Sequence, residues 1–548
     1  MRRGLCLAWM GLAGWVAADP GDPTYYGQIG RLLQAKCTLC HIEGGLAPFS
    51  METYEETVAE SRLALIRFNV ANRLMPPWNA ALEQGFEPGQ GFKPDRSLTQ
   101  EQIDVLLGWV DAGGPAGDPE DAPPPIEHPD GWRFGEPDLV LEMAETWQMW
   151  ATGGDVYRCF VLPTGFTEPT KIVGLQFQPD NLRIAHHAVL YSDPNNLGPA
   201  RDAQQGGPND GWDCFGGPGL SGSVVMGGWA PGGGFQPYTS ELGFELPAGS
   251  NIIVQMHYHP SGVPETDRTR LGLNVSQDPG VRRLYQAIPT RIDFTVPAGA
   301  QGYQLTMNVS VPTSRHVIAV FPHMHTIGST CSATAILPDS RQIPLIRIDR
   351  WDFDWQEFYV YHRPVALPAG TNIRVVGTWD NPFNHDVRGG LFTDQEMLTL
   401  GWAWTVDSEG GPPSMPDVTP PQVVGLEITR PGRGADIAVE LSEPIALPHF
   451  PSAIDLRWSD PNLDQAPIRF RPEAIVTEGS ILRLRLANAP GGGYTLTLRG
   501  FFGLRDPAEN YLDANGNGVG GELADDMILP FTLPPPNETT PRWRLYRH

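Results

Sequence analysis

Positive charge is scarce in this sequence. Lysine and arginine together number 38, against 63 aspartates and glutamates, which gives a formal net charge of −25. Because such a surface repels a polyanion rather than binding it, the composition argues against a nucleic-acid-binding protein. The charge does not identify a substrate, since it also serves to keep a protein soluble.

Long uncharged apolar runs are missing as well, except at the N terminus. There Arg2 and Arg3 precede an apolar run over residues 4–15, and small residues follow at positions 16–18. The run is too short to cross a bilayer and is typical of a secretory signal peptide, predicted over residues 1–18. We therefore expect a periplasmic or secreted protein with no membrane span, in a compartment where disulfides persist.

No short-period repeat is present, and 548 residues are too many for a single hydrophobic core. The 62 glycines and 55 prolines favour many turns and short strands, and therefore a multidomain, mainly β protein. Two proline-rich stretches, 117–130 and 411–422, are predicted linkers, because proline cannot continue a helix or a central strand. The predicted domains are a small all-α domain at 19–116, two antiparallel β-sandwiches of jelly-roll type at 131–283 and 284–410, and an immunoglobulin-like β-sandwich at 423–535, followed by a tail at 536–548.

Local patterns support this division. Thr99 and Gln102 form a capping-box signature, after which apolar residues recur at helical spacing until Gly113 and Gly114. After the first linker, short β-branched runs such as 252–257 alternate with turn residues. This spacing is typical of antiparallel sandwiches rather than of alternating strands and helices.

A c-type haem attachment motif, CTLCH, begins at Cys37. Cys37 and Cys40 would bond to the two vinyl groups of one porphyrin, and His41 would bind the iron. A disulfide or half of a zinc site is the alternative, but no second cysteine pair follows at zinc spacing. Met75 is the predicted sixth ligand, because a thioether favours Fe(II), and Met51 is its competitor. We expect one covalently bound haem c in a cytochrome c-like domain.

Three histidine groups lie between the linkers. They are His186 with His187, His257 with His259, and His323 with His325. Residues two apart on a strand project from the same face, so His323 and His325 can chelate one ion. His186 and His187 would point to opposite faces of a regular strand. A shared ion therefore requires a strand end or a bulge at this position.

These groups carry a resemblance to a known family. The stretches AHHAVL at 185–190, QMHYH at 255–259 and PHMH at 322–325 occur in that order, and Met397 follows. They resemble the copper motifs of the type II, ascorbate-dependent monooxygenases, the family of the peptidylglycine-hydroxylating and dopamine β-hydroxylating enzymes. The resemblance covers residues 131–404. It implies an oxidoreductase that hydroxylates a C–H bond of a small organic substrate with O₂ and two electrons.

The resemblance also implies two copper ions. The first would be bound by His186, His187 and His257, and the second by His323, His325 and Met397. A soft thioether favours Cu(I), the form that reacts with dioxygen, so the second site is the expected catalytic site and the first would relay an electron. His259 could exchange roles with His257. Three further histidines are expected to be structural or surface residues, namely His316, His362 and His385.

The remaining cysteines are assigned alongside the copper sites. Cys159 and Cys214 are the natural disulfide pair of the first copper domain. Cys331 has no obvious partner and is expected to be a buried thiol.

The sequence departs from the family in two places. Peptide-amidating members carry an arginine where this chain has Phe321, and an asparagine and a tyrosine where it has residues 398–401. We therefore expect a less polar substrate than a peptide terminus. The fused haem motif suggests electron delivery through the haem, replacing or supplementing ascorbate, with the first copper as acceptor.

The C-terminal region contains one further candidate site. Residues 513–518, DANGNG, resemble a calcium loop near Asp513, although an Asn/Gly-rich turn explains the pattern equally well. Two other functions stay open at this point. One is a non-catalytic electron-transfer or copper-binding protein, and the other is an adhesion factor that acts through the C-terminal domain.

Overall fold

The computed structural model describes most of the chain. The described residues are 16–17, 23–43, 47–59, 61–81, 84–86, 90–93, 95–126, 132, 135–205, 210–214, 216–229, 241–353, 355–390, 394–406, 417–446, 453–460, 467–508, 510–535 and 543–546. Strands account for 41% of the structure and helices for 11%, in several antiparallel sheets. The predicted mainly β class is therefore confirmed. Within the described residues, no helix is long and apolar enough to cross a membrane.

Helices are concentrated before residue 112. They are a π-helical turn at Tyr25–Ile29, α1 Gly30–Lys36, α2 Tyr54–Val58, α3 Arg62–Ala71 and α4 Gln100–Asp111. The predicted capping box is present, since Thr99 Oγ1 accepts from the Gln102 N–H (3.2 Å) and Gln102 Oε1 accepts from the Thr99 N–H (3.0 Å). Gly113 follows the helix at φ +84°, a value that favours glycine. Leu33, Leu106 and other buried apolar residues form the core of this helical region.

Two stacked sheets follow. The strands of this region are β2 Leu139–Glu142, β3 Trp147–Met149, β4 Val156–Pro163, β5 Thr170–Gln178, β6 Ala185–Asp193, β7 Trp212–Asp213, β8 Val225–Trp229, β9 Leu242–Leu246, β10 Asn251–Tyr258, β11 Glu265–Asp267, β12 Arg270–Ser276 and β13 Arg282–Arg283, with β1 Val16–Ala17 preceding them and a short helix, α5 Gly198–Asp202, between β6 and β7. Of these, β3 and β11 pair with each other in a separate two-stranded sheet. The sheets have the orders β7-β4-β10-β6-β8 and β13-β9-β5-β12-β2. Leu190 and Val254 of one sheet share a buried core with Leu175 of the other. We call this pair of sheets the first sandwich.

A second pair of sheets occupies the next part of the chain. Its strands are β14 Tyr285–Ala287, β15 Thr290–Arg291, β16 Thr295–Val296, β17 Tyr303–Val311, β18 Arg315–His323, β19 Gly328–Ile336, β20 Gln342–Ile348, β21 Tyr359–Leu367, β22 Thr371–Trp379, β23 Val387–Arg388 and β24 Leu398–Thr405. The main orders are β14-β24-β18-β21 and β17-β22-β19-β20. Ile318, Ala319 and Ala403 of this second sandwich also belong to the core of the first. The sheet that carries β18 and β24 therefore faces the first sandwich.

The last part of the chain forms two further sheets. The strands are β25 Val423–Thr429, β26 Ala435–Leu441, β27 Ile454–Ser459, β28 Ile468–Arg469, β29 Ala474–Glu478, β30 Ile481–Leu486, β31 Gly492–Leu498, β32 Met527–Leu533 and β33 Trp543–Tyr546. The sheet orders are β29-β30-β26-β25-β33 and β1-β32-β31-β27-β28. Residues 1–15 and 18 of the predicted signal peptide lie outside the described residues, whereas Val16 and Ala17 pair with β32.

The predicted linker at 117–130 is packed in its described part, residues 117–126. Pro119–Asp121 is a 3-10 turn, and Leu523–Asp525 is another near the C terminus. The Asp121 carboxylate accepts hydrogen bonds from Arg469 and Arg499, and its carbonyl accepts one from Arg31 (3.0 Å). This stretch is therefore held between the helical region and the last two sheets.

Candidate metal centres

The first histidine group is built by a β-bulge. On β10, His257 pairs with His187 of β6, whereas the next residue, Tyr258, pairs with Ala185. His186 is thus the extra residue of a β-bulge. The sequence predicted a bulge or a strand end here, because adjacent residues of a regular strand point to opposite faces. The bulge turns His186 to the same side as His187 and His257. The three residues offer ring nitrogens that all lie within 4.8 Å of one another.

The converging atoms are the Nδ1 nitrogens. His187 Nδ1 lies 3.2 Å from His186 Nδ1 and 3.2 Å from His257 Nδ1. The His257 ring is fixed from behind, because its Nε2–H donates to Asp155 Oδ2 (2.9 Å) and its face stacks on Tyr157 with ring centroids 4.2 Å apart. A carboxylate on the far nitrogen is the usual support of a metal-binding histidine, since it fixes the tautomer and the ring orientation. These residues fit a copper ion with three imidazole ligands.

The electrostatics of this group favour neutral rings. Burial lowers the pKa of His257 to about 4, although Asp155 opposes the shift. Burial, followed by the charges of His257, His186 and His323, lowers the pKa of His187 well below its ordinary value. Neutral imidazole is the form that binds a metal. The nitrogen lone pairs are therefore available at neutral pH.

His259 lies outside the converging set. Its side chain is exposed, and its Nδ1–H donates to Asp155 Oδ1 (2.7 Å), so that it contacts the same carboxylate as His257. Burial raises the pKa of Asp155, but hydrogen bonds from His257 and His259 lower it overall. Sequence reasoning misses Asp155, because an aspartate after two glycines carries no signal of its own.

The second histidine group lies at the ends of two paired strands. His323 is the last residue of β18 and pairs with Thr399 of β24. Met397 lies two residues before Thr399, immediately before the start of β24. The rings of His323 and His325 have centroids 5.1 Å apart, and the Thr399 hydroxyl donates to Met397 Sδ (3.5 Å). The strand ends before His325, so the two rings are brought together by the chain beyond the strand rather than by regular alternation.

A buried carboxylate fixes this second group. Glu396 is fully buried, and its oxygens accept the backbone N–H groups of His325 (2.9 Å) and Ile327 (2.9 Å) and the Trp379 indole N–H (2.9 Å). Glu396 also accepts from the Met397 N–H (3.3 Å). One side chain therefore fixes the backbone of both the histidine and the methionine. Glu396 adjoins Met397 in the sequence, but only the fold reveals its partners.

The second-site rings are also held by their Nδ1 atoms. His325 Nδ1–H donates to the Gln395 carbonyl (3.0 Å), and His323 Nδ1–H donates to Gln356 Oε1. Each ring would therefore offer Nε2 to a metal, in contrast to the first group. Burial lowers the pKa of His323 to about 4, and the charge of His325 contributes to that shift. Two imidazoles and a thioether fit a copper ion that favours Cu(I).

The second group lies beside the interface of the two sandwiches. The charge of His323 contributes to the lowered pKa of His187. Phe321 stacks on Phe358, with ring centroids 4.6 Å apart, and lies 6.0 Å from the His323 ring. A methyl group at Gly228 of β8 would meet Phe358 at 3.3 Å, so this aromatic pair lies against the first sandwich. The surface beside His323 is therefore apolar.

The haem attachment motif lies just after α1. Cys37 and Cys40 carry thiols and are not joined in a disulfide. His41 Nδ1–H donates to the Phe49 carbonyl (2.9 Å), which orients the ring so that Nε2 would bind iron. The described large apolar side chains that are exposed in this region are Leu65, Phe68, Leu74 and Met75. An apolar surface of this kind fits one face of a haem.

The two candidate axial methionines differ in their surroundings. Met75 is 42% exposed on that apolar surface. Met51 is buried in the helical core, and its backbone N–H donates to the His41 carbonyl (2.9 Å). The Met51 side chain is therefore used in core packing, whereas the Met75 thioether is accessible. Met75 fits the role of a sixth haem ligand better.

The other predicted residues have clear positions. Cys159 and Cys214 form a disulfide, which confirms the predicted pair, and Cys331 is a buried thiol. His316 lies at the opposite end of β18 from His323, His385 stacks on Phe383, and the backbone N–H of His362 donates to the Gly91 carbonyl.

Two acidic groups lie near the last sheets. The oxygens of Asp513 accept the backbone N–H groups of Gly516 (2.6 Å) and Gly518 (2.8 Å), which closes the DANGNG loop on itself. A calcium ion at this loop stays a prediction. The carboxylates of Asp417, Glu443 and Asp506 also converge, a group that the sequence does not suggest.

Comparisons with known proteins add little. No family model matches the chain. The infectious bursal disease virus VP2 subviral particle matches 52% of this chain and 74% of its own, at 11% identity and a TM-score of 0.16. Dimeric latent PorU from Porphyromonas gingivalis matches 61% of this chain and 30% of its own, at 8% identity and a TM-score of 0.12. At such TM-scores neither likeness carries an argument about this chain.

Proposed function

We propose that this chain is an exported copper monooxygenase that hydroxylates a C–H bond of an apolar organic substrate with O₂. Electrons would be supplied through the fused c-type haem, through ascorbate, or through both. In this proposal the helical region is a cytochrome c-like domain, the first and second sandwiches are the two copper domains, and the last two sheets are an immunoglobulin-like module.

The pairing of two unlike histidine groups carries the proposal. One group has three imidazoles, and the other has two imidazoles beside the Met397 thioether. A protein that only stores copper needs no such difference between its sites. Electron relay and oxygen activation call for it, because the thioether favours Cu(I) at one site only.

The residues of the chain have distinct roles in this mechanism. Bound copper would supply one-electron redox changes and oxygen activation. Asp155 holds the Nε2 proton of His257, so that Nδ1 stays a lone-pair donor. Glu396 fixes the separation of His325 and Met397 through their backbone N–H groups. In balance, R–H, O₂, two electrons and two protons become R–OH and water.

The aromatic pair supports an apolar substrate. Phe321 occupies the position where amidating relatives carry an arginine, and it stacks on Phe358 beside His323. These rings offer no hydrogen bond to a carboxylate, and they exclude water from one side of the second site. A hydrocarbon portion of a substrate would pack against them.

The test is metal and haem stoichiometry combined with oxygen uptake after reduction with ascorbate. Met397→Leu removes the thioether at similar volume, and Met307→Leu in the same sandwich is the matched control. We expect one haem, two coppers, and oxygen uptake that is lost only in Met397→Leu. One haem without copper, or uptake indifferent to Met397, would reduce the protein to a non-catalytic electron carrier.

A further inference from the structure

The helical region docks on the second sandwich through residues 73–81, 84–86, 90–93 and 95–96, which we call the docking segment. Ala80 forms a β-bridge with Ile348 of β20, and Phe92 forms one with Tyr361 of β21. Both docking residues are buried in the core of the second sandwich. The haem-attachment region is therefore fixed to that sandwich by packed side chains and not only by a tether.

Residues 350–353 and 355–358, which we call the relay loop, join this contact to the second site. Arg350 donates to the Arg73 carbonyl (3.0 Å), two residues before Met75. The next residue, Trp351, donates its indole N–H to the His325 carbonyl (3.0 Å), and that bond is buried. Two consecutive residues thus connect the Met75 side of the helical region with a second-site histidine.

The same loop makes a second connection. Asn79 Nδ2–H donates to the carbonyls of Asp352 (3.2 Å) and Trp355 (2.7 Å). Gln356, the next residue, accepts the Nδ1–H of His323. An ion pair between Arg96 and Glu357 lies beside this connection, and both side chains are largely buried. The docking segment is therefore connected to each of the two second-site histidines through two hydrogen bonds.

We propose that the relay loop makes the second site the electron entry point of the protein. The sequence alone suggests the first site, but the docking segment and relay loop lead to His323 and His325. Bonded and packed atoms carry an electron over a given distance better than gaps filled with water. The inference rests on the proposed function, since it requires haem at Cys37 and Cys40 and copper at both histidine groups.

The transfer involves one electron at a time. Ferrous haem becomes ferric as one cupric ion becomes cuprous, and no bond forms or breaks. An external one-electron donor of the ascorbate type returns the haem to the ferrous state. Arg350, Trp351, Asn79 and Gln356 are positioning residues in this scheme, because they act through His323 and His325.

Flash reduction of the haem in copper-loaded, oxygen-free protein tests the proposal. A photoexcited flavin reduces the haem, haem absorbance follows its reoxidation, and the cupric EPR signal follows copper. His187→Ala disables the first site and His325→Ala the second. We expect reoxidation to persist in His187→Ala and to disappear in His325→Ala, with loss of one cupric signal per haem oxidised.

Relay-loop variants test the path itself. Trp351→Phe removes the indole N–H while keeping an aromatic ring, and Asn79→Ala removes the amide. The control is Arg341→Gln, on an exposed arginine that is paired with Asp339 in the β19–β20 hairpin. We expect reoxidation to slow about 2- to 30-fold in the two relay variants, at unchanged haem potential and copper content. The control should match the wild type.

The outcomes separate the two proposals. If haem reoxidation persists in His325→Ala and fails in His187→Ala, the second site is not the electron entry point. The proposed monooxygenase function would still stand. If the rate of haem reoxidation is unchanged in Trp351→Phe and Asn79→Ala, the proposal that the relay loop carries the electron is wrong. Protein that binds no haem, or fewer than two coppers, overturns the proposed function and this inference with it.

Discussion

The two histidine groups are built by opposite means. The first uses neighbouring strands of one sheet and a single bulge, and its supporting carboxylate, Asp155, lies at the start of the same sheet. The second combines the last residue of β18, His323, with residues that lie outside that strand. It depends on Glu396, on Trp351 and on Gln356, which come from other parts of the second sandwich.

This difference predicts which substitutions will disturb each of the two sites. A strand pair is a local unit, so the first group should respond to changes in its own sheet. The second is a product of tertiary contacts, so it should respond to distant changes, including changes in the docking segment.

The largest effect is expected from removing one ligand at each site. His187→Ala and His325→Ala should each lower the copper content from two ions to one, because the groups share no ligand. Elemental analysis gives the count, and EPR identifies the ion that stays. His385→Ala, a change to a histidine on Phe383, is the control. Loss of both coppers in either variant would show that the sites do not form independently.

The disulfide should protect the first sandwich alone. Cys159 and Cys214 are 55 residues apart, and replacing both with alanine should lower the free energy of unfolding by about 2–4 kcal/mol. Urea denaturation measures the change, and copper release on warming should begin at the first site. Cys331→Ala in the second sandwich is the comparison and should cost about 1 kcal/mol. If copper left both sites at the same temperature, the disulfide would not stabilise the first sandwich selectively.

Glu396→Gln should damage the second site. The new amide presents N–H groups to donors that need an acceptor, so we expect a loss of about 1–3 kcal/mol in folding stability and weaker copper binding at this site alone. Thermal unfolding and competitive copper titration report the two effects. Glu440→Gln, on an exposed strand position, should change neither. Unchanged copper affinity would mean that the carboxylate stabilises the fold without positioning the ligands.

Asp155→Asn should have the smallest effect, and only at the first site. The substitution removes the charge that orients His257, and outer-shell losses of this kind lower metal affinity about 10- to 100-fold. Asp213→Asn, an exposed aspartate on the adjoining β7 strand, is the control. Copper titration of both variants measures the affinity of each site. A shift at the second site would show that Asp155 acts through the sandwich interface.

Sequence reasoning was strongest where chemistry is local. The capping box of α4, the Cys159–Cys214 pair and the mainly β class were all predicted and confirmed. The requirement for a strand end or a bulge at His186 and His187 was predictable too, and the structure has the bulge, because two adjacent residues cannot share one face of a regular strand. The capping box and the bulge follow from backbone geometry over a few positions, and the disulfide follows from the small number of available cysteines.

The residues that support the histidines could not be predicted from the sequence. Gln356 and Trp351 lie about thirty positions from the histidines that they hold, and Asn79 lies more than two hundred positions away, so no spacing rule connects them. Residues 117–126, which were predicted as part of a linker, are likewise held by residues that are distant in the sequence. Arg469 and Arg499 both donate hydrogen bonds to the Asp121 carboxylate in this stretch.

The amino-acid sequence therefore fixes which side chains are available for metal and haem chemistry, and it indicates a mainly β protein. Only tertiary contacts bring Phe321 beside His323 and place the docking segment against the second sandwich. The physical reason is that ligand identity is a property of a side chain. Orientation and proximity come from burial and from hydrogen bonds between residues that are distant in the chain.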